Sequence, residues 1–425
     1  MDGGPEYADG AEDEVLTRLR AAQDVSAGSA ELAAGLTDWE LTYHFSPQRT
    51  ALLAPLNVHD GLRVLDIGCG SGVLTRALGE TGARVVGVEG TPSRAAAAAE
   101  RCRDLPDVRI VAGDASGLSR HGTFDLALLC GVLEYSPVYG DGPAAMLADV
   151  TDALADDGVV VIAIENQLGI GYLLGQPEDH HAAAWMGLAD YPAPGAKTWS
   201  KARLHAMLAD AGLTAQRWLL PYPDYKLPRV ILDERVHDLA DASDVVDKLV
   251  RDPLLGVFRG SSAAVAVRSP HRQAVANGFG ASVAPSFLVI AGRTPEAVAK
   301  AARPDLGWLV NAQRLPEWRR SRRLTEDLRL AESHRTGSAA GWLRQEPTAD
   351  EPLLSGAPLD RLLLDALAEH DLDTTRDLLD QWRACCTVDA RPFADDETHP
   401  FLPGRPDVPV LPPDCLDVHP GNVIV

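Results

Sequence analysis

The chain predicts an α/β fold: an open, mostly parallel sheet with helices on both faces, followed by a smaller α+β region. Three observations carry this. Short apolar runs alternate with longer helical patterns between residues 63 and 220. A length of 425 residues asks for two domains, and 46% hydrophobic content is ample for a core. The stretch V-L-D-I-G-C-G-S-G, Val64 to Gly72, joins a buried strand to a helix through a glycine turn, where open α/β sheets receive nucleotide-like ligands.

Residues 1–45 read as a solvated acidic tail, with Asp2, Glu6, Asp9, Glu12, Asp13 and Glu14, and a helical approach ending at Trp39 to Phe45. Ser46-Pro47 opens a helix to about Leu56, with an N-cap and a first-turn proline. The first strand holds Val64, Leu65 and Ile67. Gly68, Gly70 and Gly72 then let the backbone turn sharply and approach a ligand. After the helix Ser71 to Gly79, a second strand, Ala83 to Glu89, ends in an acid where sites of this kind hold ribose hydroxyls. Thr91-Pro92 caps an Ala-rich helix to Cys102. The third strand, Val108 to Ala112, ends at Asp114 and Ala115, within reach of an adenine amino group. The fourth, Phe124 to Cys130, ends at Gly131 to Tyr135. A helix from Gly142 to Leu154 leads into the fifth, Gly158 to Ile164, which ends at Glu165-Asn166. The helix Ser200 to Ala211 precedes a candidate sixth strand, Thr214 to Leu220, and a candidate seventh is Ala263 to Val267. Two long insertions, 165–199 and 221–260, leave the sheet at its ligand-binding edge and are expected to recognise the substrate.

Asp66, near the end of the first strand, suits an ammonium group better than a phosphate. The turn is therefore read as built for S-adenosylmethionine, a cation without phosphate. Asp66, Gly68 and Gly70 are assigned to its methionine end, Glu89 to the ribose, Asp114 and Ala115 to the adenine. Cys130 and Gly131 are expected to shape the floor near the sulfonium. Tyr43 and Arg49 are candidates to cover it, Arg49 pairing with its carboxylate; the bland reading has the aromatics stapling their helix to the sheet. His180 or His181 is the candidate general base, because imidazole titrates near neutrality, and Glu165 is the third catalytic candidate. A loop-ordering role for the histidines is the alternative. No spaced histidine pair accompanies them, and no metal is expected.

A formal charge of -22 argues against nucleic acid as the main substrate. The one dense cationic run, Arg319 to Arg323, reads as a solvated face or an anionic contact. Six scattered cysteines without C-x-x-C spacing point to a reducing, cytoplasmic compartment. No apolar run of membrane-spanning length and no leader stands out, so no integral membrane segment is expected. A homo-oligomer is compatible with the sequence.

The order and spacing of these strands and acids resemble the class I S-adenosylmethionine-dependent methyltransferases, which implies a seven-stranded Rossmann-like domain. S-P-Q-R at Ser46, G-V-L-E-Y at Gly131, I-E-N-Q-L-G at Ile164, E-D-H at Glu178 and P-D-Y-K-L-P at Pro223 resemble a bacterial subgroup. It is found in cell-surface polysaccharide and glycosyltransferase systems and is similar in layout to the O-antigen chain-terminating methyltransferase–kinases. The resemblance spans residues 39 to 270. It implies O-methylation of a sugar hydroxyl or phosphate on a glycan or lipid-linked precursor. A natural-product tailoring enzyme with a small-molecule acceptor, and a non-catalytic scaffold of relic folds, are the rivals. A nicotinamide dehydrogenase lacks its Tyr-x-x-x-Lys pair here.

Beyond 270, Ser286 to Ile290 and Gly307 to Val310 read as strands, with helices within Pro352 to Ala368 and Thr374 to Cys385. The stretch L-D-V-H-P-G-N-V-I-V, from Leu416, resembles the catalytic loop of aminoglycoside- and choline-kinase-like phosphotransferases. That resemblance implies Asp417 as base and Asn422 as magnesium ligand. No glycine-rich phosphate loop accompanies it, and no second metal-binding aspartate follows. Lys300 is the nearest candidate for the phosphate lysine and looks helical. An incomplete, inactive kinase-like domain is expected. The predicted division is thus 1–45, 46–269 and 270–425.

Overall fold

The computed structural model describes residues 9–178, 180–181, 183–257, 267–315, 318–335, 339–340, 343–344, 350–392, 409–412, 415 and 418–425. They fall into two compact units, one ending at Pro352 and the other running from Leu353 to Val425.

In the first unit, α1 (Glu12–Ala21) and α2 (Trp39–Phe45) lead into a 3₁₀ turn, Pro47–Leu53. The alternating half then follows: β1 (Arg63–Ile67), α3 (Val73–Gly79), β2 (Arg84–Glu89), α4 (Pro92–Arg101), β3 (Val108–Ala112), β4 (Phe124–Cys130), α5 (Pro143–Asp152) and β5 (Leu154–Glu165). After the first insertion come α6 (Lys201–Asp210), β6 (Ala215–Tyr222), β7 (Val230–Asp233), α7 (Ala242–Leu255) and α8 (Arg268–Ala276). β8 (Ser286–Gly292), α9 (Pro295–Ala301), β9 (Gly307–Asn311), β10 (Arg320–Leu324), β11 (Arg329–Arg335) and β12 (Glu351–Pro352) complete the unit. The strands form one twelve-stranded sheet in the order β12-β11-β10-β9-β7-β6-β8-β5-β4-β1-β2-β3. β1 to β5 pair in parallel. From β5 outward through β8, β6 and β7 to β12, every pairing is antiparallel.

The core follows from composition. Residues 126–130 of β4 and 159–164 of β5 are apolar runs because helices cover both faces of a parallel sheet, and Leu128, Leu129, Val160, Val161 and Ile162 have no measurable exposure. Val64, Leu74, Leu126, Val161, Leu219 and Leu288 share one cluster, while Val15, Leu19, Leu41, Phe45 and Ala97 form a second where α1 and α2 meet α4.

Several expectations change. The seventh strand expected at Ala263 to Val267 falls on residues of which 263–266 lie outside the described ones. The strand that sits antiparallel between β5 and β6 is Ser286–Gly292 (Leu288 opposite Ala163 and Leu219). A boundary at 269/270 would cut this buried strand from its sheet; the compact unit instead ends at Pro352. The sheet then continues well past β6, and the Arg319 to Arg323 run lies largely in its strand β10, where Arg320 pairs with Glu332 and Arg323 with Asp305. The helix expected to reach Leu56 is a shorter 3₁₀ turn, and the Thr91 side chain makes no capping hydrogen bond to the helix it precedes, while its N–H donates to Glu89. The acidic start is not simply solvated: Asp9 and Glu12 form ion pairs with Arg94, and Asp9 also meets His44.

The second unit pairs α10 (Leu359–Ala368) with α11 (Leu372–Thr387), whose N-cap Asp371 accepts from Thr374 N. Its chain end folds back, with the Leu359 N–H donating to Val423 O and Val425 exchanging backbone bonds with Ala357. Asn422 lies in a 3₁₀ turn, while Asp417 is outside the described residues.

Candidate functional site

A cavity of about 1500 Å³ opens at the C-terminal ends of β1, β2, β3 and β4. Its first half is the glycine turn. Gly68, Gly70 and Gly72 all have positive φ, and the Gly68 and Cys69 N–H groups donate to Val88 O. Fully buried Arg101 clamps the turn from below, donating to Ser71 O at 2.9 Å and His44 O at 2.8 Å. A chain of contacts joins Asp9, His44 Nε2, His44 Nδ1 and Ser71 Oγ at 2.9 and 2.8 Å, tying the start of the chain to the same turn.

Acids rim this half. Glu89 accepts from Gly70 N at 2.7 Å and from Thr91 N at 2.9 Å, so it orders the loop it faces. Asp66 is 2% exposed and accepts from Thr75 Oγ1 at 2.6 Å. Burial pushes its carboxyl up to about 7, against the opposing pull of Thr75 and Arg49. Asp114 is held below the usual carboxylate range by hydrogen bonds from Ser116. A Cβ at Gly70 or Gly113 would meet no atom within 4 Å, so both turns face open space. Three carboxylates around a bare glycine turn fit a cationic nucleoside. The acceptor-rich lining of the cavity therefore suits S-adenosylmethionine.

The second half is a buried cluster of charge. Glu165, at the end of β5, pairs with Lys226 Nζ through Oε1 and accepts from Tyr172 OH at 2.7 Å through Oε2. Burial pushes Glu165 up, but Lys226 and His180 outweigh it and hold the carboxyl well below its usual range. His180 Nε2 lies 3.4 Å from Glu165 Oε2 and 4.0 Å from Glu134 Oε1, and its Nδ1 is 3.0 Å from Tyr135 OH. Burial lowers the imidazole, yet Glu165 and Glu134 raise it further, to a net value above the ordinary one. Glu134 has no measurable exposure and accepts from Tyr225 OH at 3.3 Å. Burial pushes it up to about 7, opposed by His180. Tyr135, His180, Tyr225 and Lys226 line the cavity, with the two glutamates behind them.

The structure brings together Tyr43, Arg49, Asp66, Gly68, Gly70, Glu89, Asp114, Ala115, Cys130, Gly131 and His180 around one space. Arg49 is buried, stacked 3.9 Å over the Tyr43 ring and donating to Lys226 O at 3.2 Å. Burial raises the Cys130 thiol to about 11, so it contributes shape rather than a thiolate. His181 does not join them. Its Nε2 is 2.9 Å from Ala196 O and its ring packs on Tyr191; the two imidazoles lie in the turn between the short paired strands Pro177–Glu178 and Ala183–Ala184 and meet different partners. Glu178 likewise serves the loop, accepting from Gly187 N and Tyr191 OH.

Glu134, Tyr135, Tyr225 and Lys226 received no role from sequence reasoning. The usable signal was a lysine beside tyrosines inside a proline-bounded loop, and an acid-aromatic pair one turn past a strand end. Gly131 (φ +70) shows how tightly they assemble: a Cβ there would meet Tyr225 OH at 2.6 Å.

Comparison with known proteins bears on this geometry. A family profile described as a methyltransferase domain matches residues 65–160. The chain is 32% identical over 163 residues to a ubiquinone biosynthesis O-methyltransferase of Psychrobacter arcticus, covering 37% of this chain and 60% of the relative. It is 31% identical over 117 residues to the enzyme of that name in Methylococcus capsulatus, covering 27% and 48%. The chain thus spans 48 to 60% of the length of these relatives. Among solved structures, the magnesium protoporphyrin IX methyltransferase of Synechocystis aligns over 48% of this chain and 85% of its own at 17% identity, with a TM-score of 0.33. The match runs from Leu65 in β1 to Val160 in β5 and takes in the glycine turn with Asp66, Glu89 and Asp114, so this stretch of the chain is similar to a methyltransferase domain.

Proposed function

We propose that the protein transfers a methyl group from S-adenosylmethionine to an oxygen atom of a sugar hydroxyl or phosphate, on a glycan or lipid-linked precursor. The observation that carries this reading is the continuity of one cavity from the acid-rimmed glycine turn to the buried pair His180 and Glu165. Asp66 with the turn Gly68 to Gly70 would hold the methionine end, Glu89 the ribose, and Asp114 and Ala115 the adenine. When bound, the sulfonium supplies an electrophilic methyl group. The chain's own work is to align an acceptor oxygen, exclude water and take up the proton. Tyr43 and Arg49 close the roof, and His180, backed by Glu165, forms the proton-accepting end. The names of the relatives support oxygen as the atom methylated; they also favour a second reading, a small-molecule acceptor. A phosphate acceptor would need no base, and His180→Gln would then leave the rate almost intact.

The C-terminal unit is proposed as a partial kinase-like fold without phosphotransfer. In support, Lys300 belongs to the first unit and pairs with Asp157 at 2.8 Å. Titration with ATP and magnesium is expected to show no saturation.

Calorimetric titration with S-adenosylmethionine, NAD and ATP tests the main reading. Only S-adenosylmethionine is expected to bind, and Asp66→Ala and Glu89→Ala are each expected to weaken it at least tenfold. Equal binding of NAD, or unchanged binding by both variants, would remove it.

A further inference from the structure

Resting on that reading, we infer that Tyr135 is the catalytic residue that meets the acceptor, that His180 acts only through it, and that the acceptor is a neutral hydroxyl. Both nitrogens of His180 are directed away from a direct contact with an acceptor: Nδ1 to the Tyr135 hydroxyl at 3.0 Å, Nε2 towards Glu165 and Glu134. The imidazole is almost enclosed, its side chain 6% exposed. Tyr135 is half-buried, lines the cavity and stands edge-on to the imidazole, ring centres 5.2 Å apart. A phenol can accept one proton and donate another at the same oxygen. Glu165 is itself anchored by Lys226 and Tyr172. The order from the cavity inward is therefore phenol, imidazole, carboxylate, the third group orienting the second.

The acceptor oxygen bonds to the methyl carbon while the carbon–sulfur bond breaks and its electron pair returns to sulfur, leaving a neutral thioether. The acceptor's proton passes to Tyr135 Oη as the Tyr135 proton passes to His180 Nδ1, in one concerted movement. The imidazolium so formed faces Glu165 and Glu134. A phosphate oxygen arrives already ionised and would have no use for this arrangement.

The groups facing His180 are Glu165 from β5, Glu134 and Tyr135 from the turn after β4, and Lys226 from the loop after β6; Tyr172 and Tyr225 in turn hold the two glutamates. Their balance raises the imidazole, so the rate is expected to climb with pH through a midpoint above the ordinary value of about 6.5.

The test uses the full chain. NMR of protein with ¹⁵N-labelled histidine, with His180 assigned through His180→Gln, reads the tautomer without any turnover. The neutral ring is expected to carry its proton on Nε2, and Tyr135→Phe should move the Nδ1 resonance. A neutral ring protonated on Nδ1 overturns the relay, because that nitrogen then has no room for the Tyr135 proton. In a second arm, S-adenosylhomocysteine formation is followed with a methyl glycoside or a sugar phosphate as probe. Tyr135→Phe is expected to lower kcat on the glycoside about 100-fold, while the calorimetric affinity for S-adenosylmethionine stays unchanged. Undiminished turnover of either probe by Tyr135→Phe overturns the assignment. Loss of S-adenosylmethionine binding in the unaltered protein would instead bring down the underlying reading, and this inference with it.

Discussion

In the proposed reading, the buried acid Asp66 would couple ligand binding to pH. Its carboxyl is pushed up to about 7 by burial, with Thr75 as its hydrogen-bond donor. A raised folded-state value means that stability is full below the ordinary carboxylate range and declines as pH rises through about 7. Binding of an ammonium group has the opposite sign, because it requires the ionised form. Affinity for S-adenosylmethionine is therefore expected to be about tenfold weaker near pH 6 than near pH 8, and calorimetry at the two values checks it. Asp66→Asn should bind weakly and without that dependence; a flat profile in the unaltered protein would contradict the assignment. Glu89, proposed to hold the ribose, also accepts from Gly70 N and Thr91 N. Glu89→Gln keeps the acceptor oxygen but loses one carboxylate oxygen and the charge, so it should weaken binding less than Glu89→Ala.

The glycine turn separates two kinds of constraint that look alike in sequence. At Gly72 (φ +79) a Cβ would stand 2.9 Å from Ala98 Cα on α4, a backbone atom that has little freedom to yield. Gly72→Ala is expected to cost about 1–3 kcal/mol of stability, read as a lowered denaturation midpoint. At Gly70 (φ +57) the same Cβ would enter open cavity. Gly70→Ala should cost about 1–2 kcal/mol in backbone strain and, more tellingly, weaken S-adenosylmethionine binding. Equal effects of both substitutions on binding would show that the cavity does not receive the ligand at Gly70.

The extent of the first unit also carries a prediction. Every residue of β8 is buried, and the strand pairs on both sides with β5 and β6. A chain ending at residue 270, the boundary expected from sequence, lacks this strand and should not unfold cooperatively. A chain ending at Pro352 keeps every residue that lines the cavity. It should bind S-adenosylmethionine within about twofold of the full chain, twofold being about 0.4 kcal/mol. Circular dichroism on heating and calorimetry distinguish the two truncations.

Local pattern alone disclosed the alternation of strand and helix, the glycine turn and the strand-end acids Asp66, Glu89 and Asp114. Each depends on neighbours in sequence: an apolar run, a backbone that must reach positive φ, an acid at a fixed distance from a turn. His180 and Glu165 were also singled out, but their relation was not, and His181 looked equivalent, although the folded chain gives it different partners. The place of Ser286–Gly292 in the sheet, and the meeting of Glu134, Tyr135, Glu165, His180 and Lys226, belong to the folded chain. The cluster joins residues up to 92 positions apart, Glu134 and Lys226, and the pairing of β8 with β5 joins residues up to 133 apart, Val159 and Gly292. Strand pairing and burial over such distances are set by how separate elements pack, which no local spacing records.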